Sequence, residues 1–342
     1  MGKRLNRDEM QQFFEILQES YDIYGPKLYQ GTGCFSDTDV VRYGQLESWE
    51  ELVWDRKSDY SFKEALFPIS ETILYFTENE MKTADGPARP RMIFLKSCDF
   101  HALKRLDAMY LRNGAEDFYY RRMRENTVFA VMGCKESGES CFCVSMGTNR
   151  CEGYDIYAFQ DENGCYVDVK SGELESLLPE CGQSTEEEPV FVEKNPRAME
   201  CIKENLKYTK LDKKAMTMTK DDSMWQEYSG RCIGCGRCNF VCPTCTCFTM
   251  QDIFYKDNPK AGERRRVWAS CQVDGYSDIA GGHSFRQSQG DRMRFKVLHK
   301  VSDYKKRFGY HMCVGCGRCE NVCREYISYI ACLQKLKEKE GK

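Results

Sequence analysis

Two copies of one cysteine pattern constrain this chain more than anything else in it. Residues 232–243 read CIGCGRCNFVCP and residues 313–324 read CVGCGRCENVCR. Both are C-x-x-C-x-x-C-x-x-x-C, and they share C-x-G-C-G-R-C-x-x-V-C, an internal duplication. Three cysteines at this spacing wrap one face of an iron–sulfur cubane. The glycines between them let backbone amides approach its sulfides. The fourth cysteine of such a run ligates the other cluster when two runs share a domain. The pattern therefore predicts one 4Fe–4S site from Cys232, Cys235, Cys238 and Cys323, and a second from Cys313, Cys316, Cys319 and Cys242. Zinc ribbons do not use this spacing. Arg324 stands where the second run would carry proline. Proline there only stiffens the exit turn, so its loss removes no ligand.

The remaining cysteines need a setting. There are 21 in 342 residues. Disulfides explain such a count in a short secreted scaffold, but this chain is long. Its start, MGKRLNRDEMQQFFEILQESY, lacks the apolar stretch of a signal peptide. Asn6 stands where myristoylation requires Ser or Thr. No apolar run approaches the roughly 18 residues of a membrane span. The expectation is a reducing, cytoplasmic setting with no membrane insertion, in which clustered thiols hold metal. The formal net charge of −3 suggests no nucleic-acid partner.

Residues 10–24 repeat apolar positions at helical spacing and predict a helix, whereas 25–60 read as irregular, with GTGCF at 31–35 as a turn. MIFLKSC (92–98) and VFAVMGC (128–134) are short apolar runs that end in cysteine at the same offset. Between them, DFHALKRLDAMYL (99–111) places Leu103, Leu106 and Tyr110 at helical spacing, with Asp99 as its expected N-cap. Strand, helix, strand implies a right-handed crossover and parallel strands. Ligands of open α/β sheets bind at the carboxyl ends of such strands, which is where Cys98 and Cys134 would lie. YDIYAFQ (154–160) and CYVDV (165–169) flank a DENG turn; 183–189 reads as a polar loop, a helix follows near 196–207, and 208–223 reads as a linker. The expected architecture is α+β or α/β. A mixed N-terminal α/β domain with a parallel βαβ unit spans 1–220. A two-cluster ferredoxin-like domain spans 221–342, with an insert at 246–310 between its cysteine runs.

MGCKESGESCFC at 132–143 adds Cys134, Cys141 and Cys143. With Cys98 these make four thiols, a set that suits either zinc or a cubane. Seventy residues separate the two C-terminal runs. They hold Cys245, Cys247 and Cys271, read as structural thiols because both clusters already have four ligands. His283 and His299 are read as hydrogen-bonded structural residues. The basic stretch Arg286–Arg307 has few stacking aromatics. It suits solvated surface, partner docking or compensation of anionic clusters better than nucleic acid.

The chain resembles the family of iron–sulfur electron-transfer subunits of anaerobic sulfite reductases. It is also similar to the beta subunit of soluble sulfhydrogenases, over residues of about 60 to 330. The likeness rests on KSCDFHAL (96–103), YYRRMREN (119–126), GC with CFCVSMGT (133–148), both cysteine runs, CPTCTCF (242–248) and GGHSFR (281–286). It implies an electron-transfer protein placed between an NAD(P)H-oxidising flavin subunit and a catalytic subunit, which in sulfite reductase holds sirohaem and reduces sulfite to sulfide. It also implies a third 4Fe–4S cluster on Cys98, Cys134, Cys141 and Cys143, with Cys151 as a spare or substitute ligand. Two alternatives stand beside this: the electron-transfer beta subunit of a hydrogenase or sulfhydrogenase, and a zinc-binding interaction module. No catalytic residues stand out.

Overall fold

A computed structural model describes residues 2–33, 35, 37–178, 182–197 and 223–340. Eight strands build its first layer: β1 (Gly2–Leu5), β2 (Asp22–Tyr29), β3 (Val40–Gln45), β6 (Arg91–Lys96), β7 (Thr127–Met132), β8 (Ile156–Asp161), β9 (Gly164–Val169) and β10 (Gln183–Thr185). They form one sheet in the order β10-β1-β9-β8-β7-β6-β2-β3. The centre, β2-β6-β7-β8, is parallel, and the flanks are antiparallel. Strands β6 and β7 are apolar without alternation because both of their faces are covered. Met92 and Phe94 pack with helix α1 (Arg7–Ser20), beside Phe13, Phe14 and Leu17. Ile93 and Leu95 pack on the other face with Leu103 and Leu106 of helix α2 (Ser97–Leu111). Cys98 and Cys134 follow strands paired Lys96 to Met132, so both stand off the same sheet edge, as expected of a strand–helix–strand unit.

Four local expectations are corrected. Helix α1 ends at Ser20, and Asp22 already belongs to β2, so the 10–24 helix is shorter and 25–60 is not irregular. The helix is closed at its start by an Asn6–Glu9 capping box. Asp99 is not the N-cap of α2, which begins at Ser97 after Lys96. The 183–189 stretch holds a strand, because Gln183–Thr185 pairs with β1. The 154–169 hairpin is present as β8 and β9. The helix near 196–207, the 208–223 linker and the boundary near 220 fall on or at the edge of residues outside those described.

The second layer is built from β4 (Ser70–Phe76), β5 (Met81–Thr83), β11 (Phe248–Phe254) and β12 (Gly262–Trp268). These form an antiparallel sheet in the order β11-β12-β4-β5. β12 pairs with β4, so residues between the two cysteine runs share a sheet with residues 70–83. Beside it, helices Ser223–Arg231, α3 (Gln289–Leu298) and Tyr329–Glu340 enclose a third core of Trp225, Tyr228, Met293, Val297, Ile330, Leu333 and Leu336. Partly buried Cys232, Cys313, Cys319 and Cys323 pack against that core. No helix among the described residues is long and apolar enough to cross a membrane.

A buried ion pair joins the first layer to the second cysteine run. Arg318, 1% exposed, meets the carboxylate of Asp99, 0% exposed, with both contacts at 2.6 Å. Its Nε also donates to the Ser58 carbonyl at 2.9 Å. Breaking a buried pair from one side leaves an uncompensated charge. Arg318→Met is expected to cost about 3–5 kcal/mol of stability. Adding Asp99→Asn should restore part of that loss, read as urea midpoints of anaerobically prepared protein.

Candidate metal centre

The two duplicated runs fold alike. Each crosses two glycines in the left-handed region, Gly234 and Gly236 in the first (φ 67° and 74°) and Gly315 and Gly317 in the second (φ 68° and 72°). Each then enters a single helical turn, Arg237–Phe240 or Arg318–Asn321. Left-handed backbone strongly favours glycine. The turns carry amides back onto sulfur: Gly234 donates to Cys232 and Gly315 to Cys313. Ile327 N–H lies 3.4 Å from Cys323 Sγ.

The thiols of the two runs gather around two cavities. One cavity is lined by Cys232, Cys235, Cys238 and Cys323. A second is lined by Cys242, Cys313, Cys316 and Cys319. Cys238, Cys319, Lys296 and Tyr329 line both cavities, so the two share a wall. Among the described residues no three His, Cys, Asp or Glu side chains form a single-ion cage. The thiols stand around cavities, which suits a cubane, whose ligands bind four separated corners.

Charge and hydrogen bonding fit the same group. Burial pushes the Cys313 thiol up to about 12 and raises Cys232, Cys316 and Cys319. Iron would supply the positive charge that lets such thiols bind as thiolates. Cys242 is held below the usual thiol range by a hydrogen bond from Cys245, aided by Lys300 and Thr244 against the effect of burial. Lys300 Nζ lies 3.3 Å from Cys242 Sγ and 2.9 Å from Thr244 Oγ1. Burial alone would lower the Lys300 ammonium, but Cys242, Cys245 and Cys313 hold it well above the usual lysine range. Lys296, one turn earlier on α3, hydrogen-bonds Cys238. The basic stretch Arg286–Arg307 thus turns two of its cations inward, one of the several roles that its composition allows.

The N-terminal four also converge. Cys98 is the second residue of α2, Cys134 follows β7, Cys141 lies in the next loop, and Cys143 opens the short helix Cys143–Met146. Burial raises Cys134 and pushes Cys143 up to about 12; Cys141 adds to both, and Cys134 also adds to Cys143. Cys98 is raised well above its usual value by burial, then by Asp99, with Cys316 and Cys143 adding. Lys57 Nζ is 3.4 Å from Cys141 Sγ and also donates to the Cys316 carbonyl. Asn195 Nδ2 lies 3.5 Å from Cys143 Sγ. This group abuts the second run directly. Phe142 N–H donates to the Gly315 carbonyl at 2.8 Å. A Cβ on Gly315 would fall 2.7 Å from the Cys143 nitrogen, and one on Gly317 2.3 Å from the Ser140 carbonyl oxygen. Cys151 is buried, and its thiol hydrogen-bonds Ser97.

Reasoning from spacing misses Lys57, Lys96 and Lys63. Lys96 Nζ donates to the Trp54 and Gly133 carbonyls at 3.1 and 3.0 Å, and Cys134 and Cys98 lie near it. Lys63 Nζ donates to the Cys245 carbonyl at 2.7 Å. For Lys96 alone the available signal is a lysine closing an apolar strand. His299 stacks on Phe295 at 5.6 Å.

Residues 231–327 match the family described as the 4Fe-4S dicluster domain. Over its whole length the chain is similar to the sulfhydrogenase 2 subunit beta of Pyrococcus furiosus. The identity is 29% over 341 residues, covering 98% of each chain. The protein therefore combines a mixed α/β sheet containing parallel strands with a C-terminal iron–sulfur dicluster domain.

Two outcomes follow. If Cys242 serves the cluster of the second run, Cys242→Ala should reproduce the electron paramagnetic resonance loss of Cys316→Ala. A spectrum matching Cys235→Ala would reverse the assignment. Lys300→Met removes a cation that favours the more negative, reduced cluster. The potential of that cluster should fall, read by a redox titration followed by the same spectroscopy.

Proposed function

We propose that this chain is an iron–sulfur electron-transfer subunit of a sulfhydrogenase-type complex. The observation that carries the reading is the full-length similarity to a sulfhydrogenase beta subunit, together with three cysteine groups set wall to wall. Motifs alone put sulfite reductase first, because the two families share them. The relative shifts the weight to the hydrogenase-type alternative, and sulfite reduction becomes the reading that the experiment separates from it.

The residues support a relay in three stations. Cys98, Cys134, Cys141 and Cys143 would hold the first group. Cys313, Cys316, Cys319 and Cys242 would hold the second, and Cys232, Cys235, Cys238 and Cys323 the third. A bound cubane takes up and gives out one electron at a time. The chain's own part is to hold the stations close and adjust their charge. Cys141 Sγ approaches the Cys316 carbonyl at 3.7 Å, and Tyr329 and Lys296 stand between the second and third stations. The third station reaches the surface, where Cys235 is exposed and Ile233 is 62% exposed. A flavin subunit that oxidises or reduces NAD(P)H and a separate catalytic subunit would then sit at the ends of the line.

Anaerobic purification with its partners tests this. About twelve irons per chain are expected from three cubanes and about eight from two; zinc in place of iron would return the chain to an interaction module. A complex reconstituted without this chain should lose hydrogen-linked electron flow to its far acceptor. Loss of sulfite reduction instead, with hydrogen uptake absent from the intact complex, would restore the sulfite reductase reading.

A further inference from the structure

Three cysteines between the two runs, Cys245, Cys247 and Cys271, belong to none of the three stations, and the last two touch. Cys247 Sγ and Cys271 Sγ are in hydrogen-bonding contact, and the Cys271 backbone N–H also donates to Cys247. Both follow from the strand pairing. β11 and β12 run antiparallel with Phe248 opposite Trp268, and the ladder continues through Ala269 N–H donating to the Cys247 carbonyl at 3.0 Å. The Cys271 sulfur receives two side-chain amides, Asn239 Nδ2 at 3.1 Å and Gln272 Nε2 at 3.6 Å. Asn239 is buried in the single turn after Cys238, and Gln272 is itself fixed by donating to the Arg292 carbonyl at 2.8 Å. A structural thiol in an apolar core needs no such donors. Hydrogen bonds from Cys247, Gln272 and Asn239 pull the Cys271 thiol down to about 5 against its burial.

Cys245 links this pair to the relay. Its thiol hydrogen-bonds Cys242, and Cys247 lies close enough to add to its pKa. Sulfur thus follows sulfur from Cys242 through Cys245 to Cys247 and Cys271. Cys247 is half-buried beside exposed Phe248 and Tyr276, whereas Cys271 is buried. With Cys245 it lines a small cavity walled by Lys63, Tyr110, Arg266 and Trp268. One sulfur is reachable from outside and the other sits behind it, the arrangement of an attacking and a resolving thiol.

We propose that Cys247 and Cys271 form a redox-active dithiol that reduces low-molecular-weight disulfides with electrons from the relay. The Cys247 thiol gives its proton to the Cys271 thiolate as its sulfur attacks one sulfur of RS–SR; that bond breaks, the leaving RS⁻ takes the proton from Cys271, and a mixed disulfide remains. The Cys271 thiolate attacks Cys247 Sγ, the mixed disulfide breaks, the second RS⁻ leaves, and the Cys247–Cys271 bond forms. Two electrons, arriving singly past Cys242 and Cys245, split that bond into two thiolates. The sum is one disulfide and two electrons giving two thiolates, with protons exchanged with water. The last step rests on the relay reading, whereas the first two do not.

The test uses the anaerobic, iron-loaded chain and hydroxyethyl disulfide, a probe small enough for the opening. Wild type should yield a linked Cys247–Cys271 peptide on mass mapping after thiol alkylation. Electrons from reduced viologen should return both thiols. Cys271→Ser should trap the hydroxyethyl adduct on Cys247 and lower disulfide turnover at least a hundredfold, with iron content and cluster spectra unchanged. Cys247→Ser should leave Cys271 without adduct. Cys242→Ala should still form the link but reopen it at least tenfold more slowly. Absence of the link and of the trapped adduct would overturn the proposal, as would loss of bound metal in Cys271→Ser. Low iron in the wild type would strike the relay reading instead, and the two failures are distinct.

Discussion

Asp99 and Arg318 lie 219 residues apart in sequence and meet where water cannot reach. A charge in that position must pair or cost several kcal/mol, so the contact tolerates no slippage. Each partner adjoins a candidate ligand, Asp99 next to Cys98 and Arg318 next to Cys319. Holding the pair therefore holds the carboxyl edge of the parallel sheet against the second cysteine run. Ser58, from the segment after β3, closes the remaining guanidinium contacts. Loop 140–143 can then lie flat on Gly315 and Gly317, where any side chain would collide with backbone.

The duplication explains why this contact exists once and not twice. Arg237 stands at the same place in the first run and is exposed, whereas its counterpart Arg318 is buried. Equal sequence has met unequal surroundings. The glycines keep their function in both copies, because the backbone turn is local and the arginine's partner is not. Each run is also covered by a cysteine-bearing segment. Ser140–Cys143 covers the second, and Ser270 and Val273, flanking Cys271, approach Gly236 of the first. The long insert thus supplies to one copy what the N-terminal sheet supplies to the other.

What the sequence makes legible is what depends on spacing or period. The duplicated cysteine runs, the apolar strands ending at Cys98 and Cys134, and the β8–β9 hairpin are all local patterns. Asp99 reads as a cap because an acidic residue early in a helix looks the same whether it meets amides or a distant arginine. Gln183–Thr185 reads as a loop because an edge strand of three residues carries too little alternation to show. The sharing of one sheet by residues 70–83 and 248–268 has no local signature at all. Nor have Lys57 and Lys63, whose partners lie 84 and 182 residues away.

Lysines at this depth need explaining in their own right. An ammonium taken out of water loses several kcal/mol of hydration unless opposite charge replaces it. Lys296 and Lys300 are 4% exposed, and the partners that reach them include sulfur atoms of candidate ligands. Thiols that stayed protonated would not repay that loss, but thiolates held by iron would, since a ligated cubane is an anion. The backbone between the two lysines also bends to serve them. Helix α3 passes at His299 into a π turn through Asp303, a widened geometry that recurs at functional sites. Lysine charge and cluster charge then depend on each other. The site folds with its cations inside because anions are due there, and those cations in turn make the reduced, more negative state easier to reach.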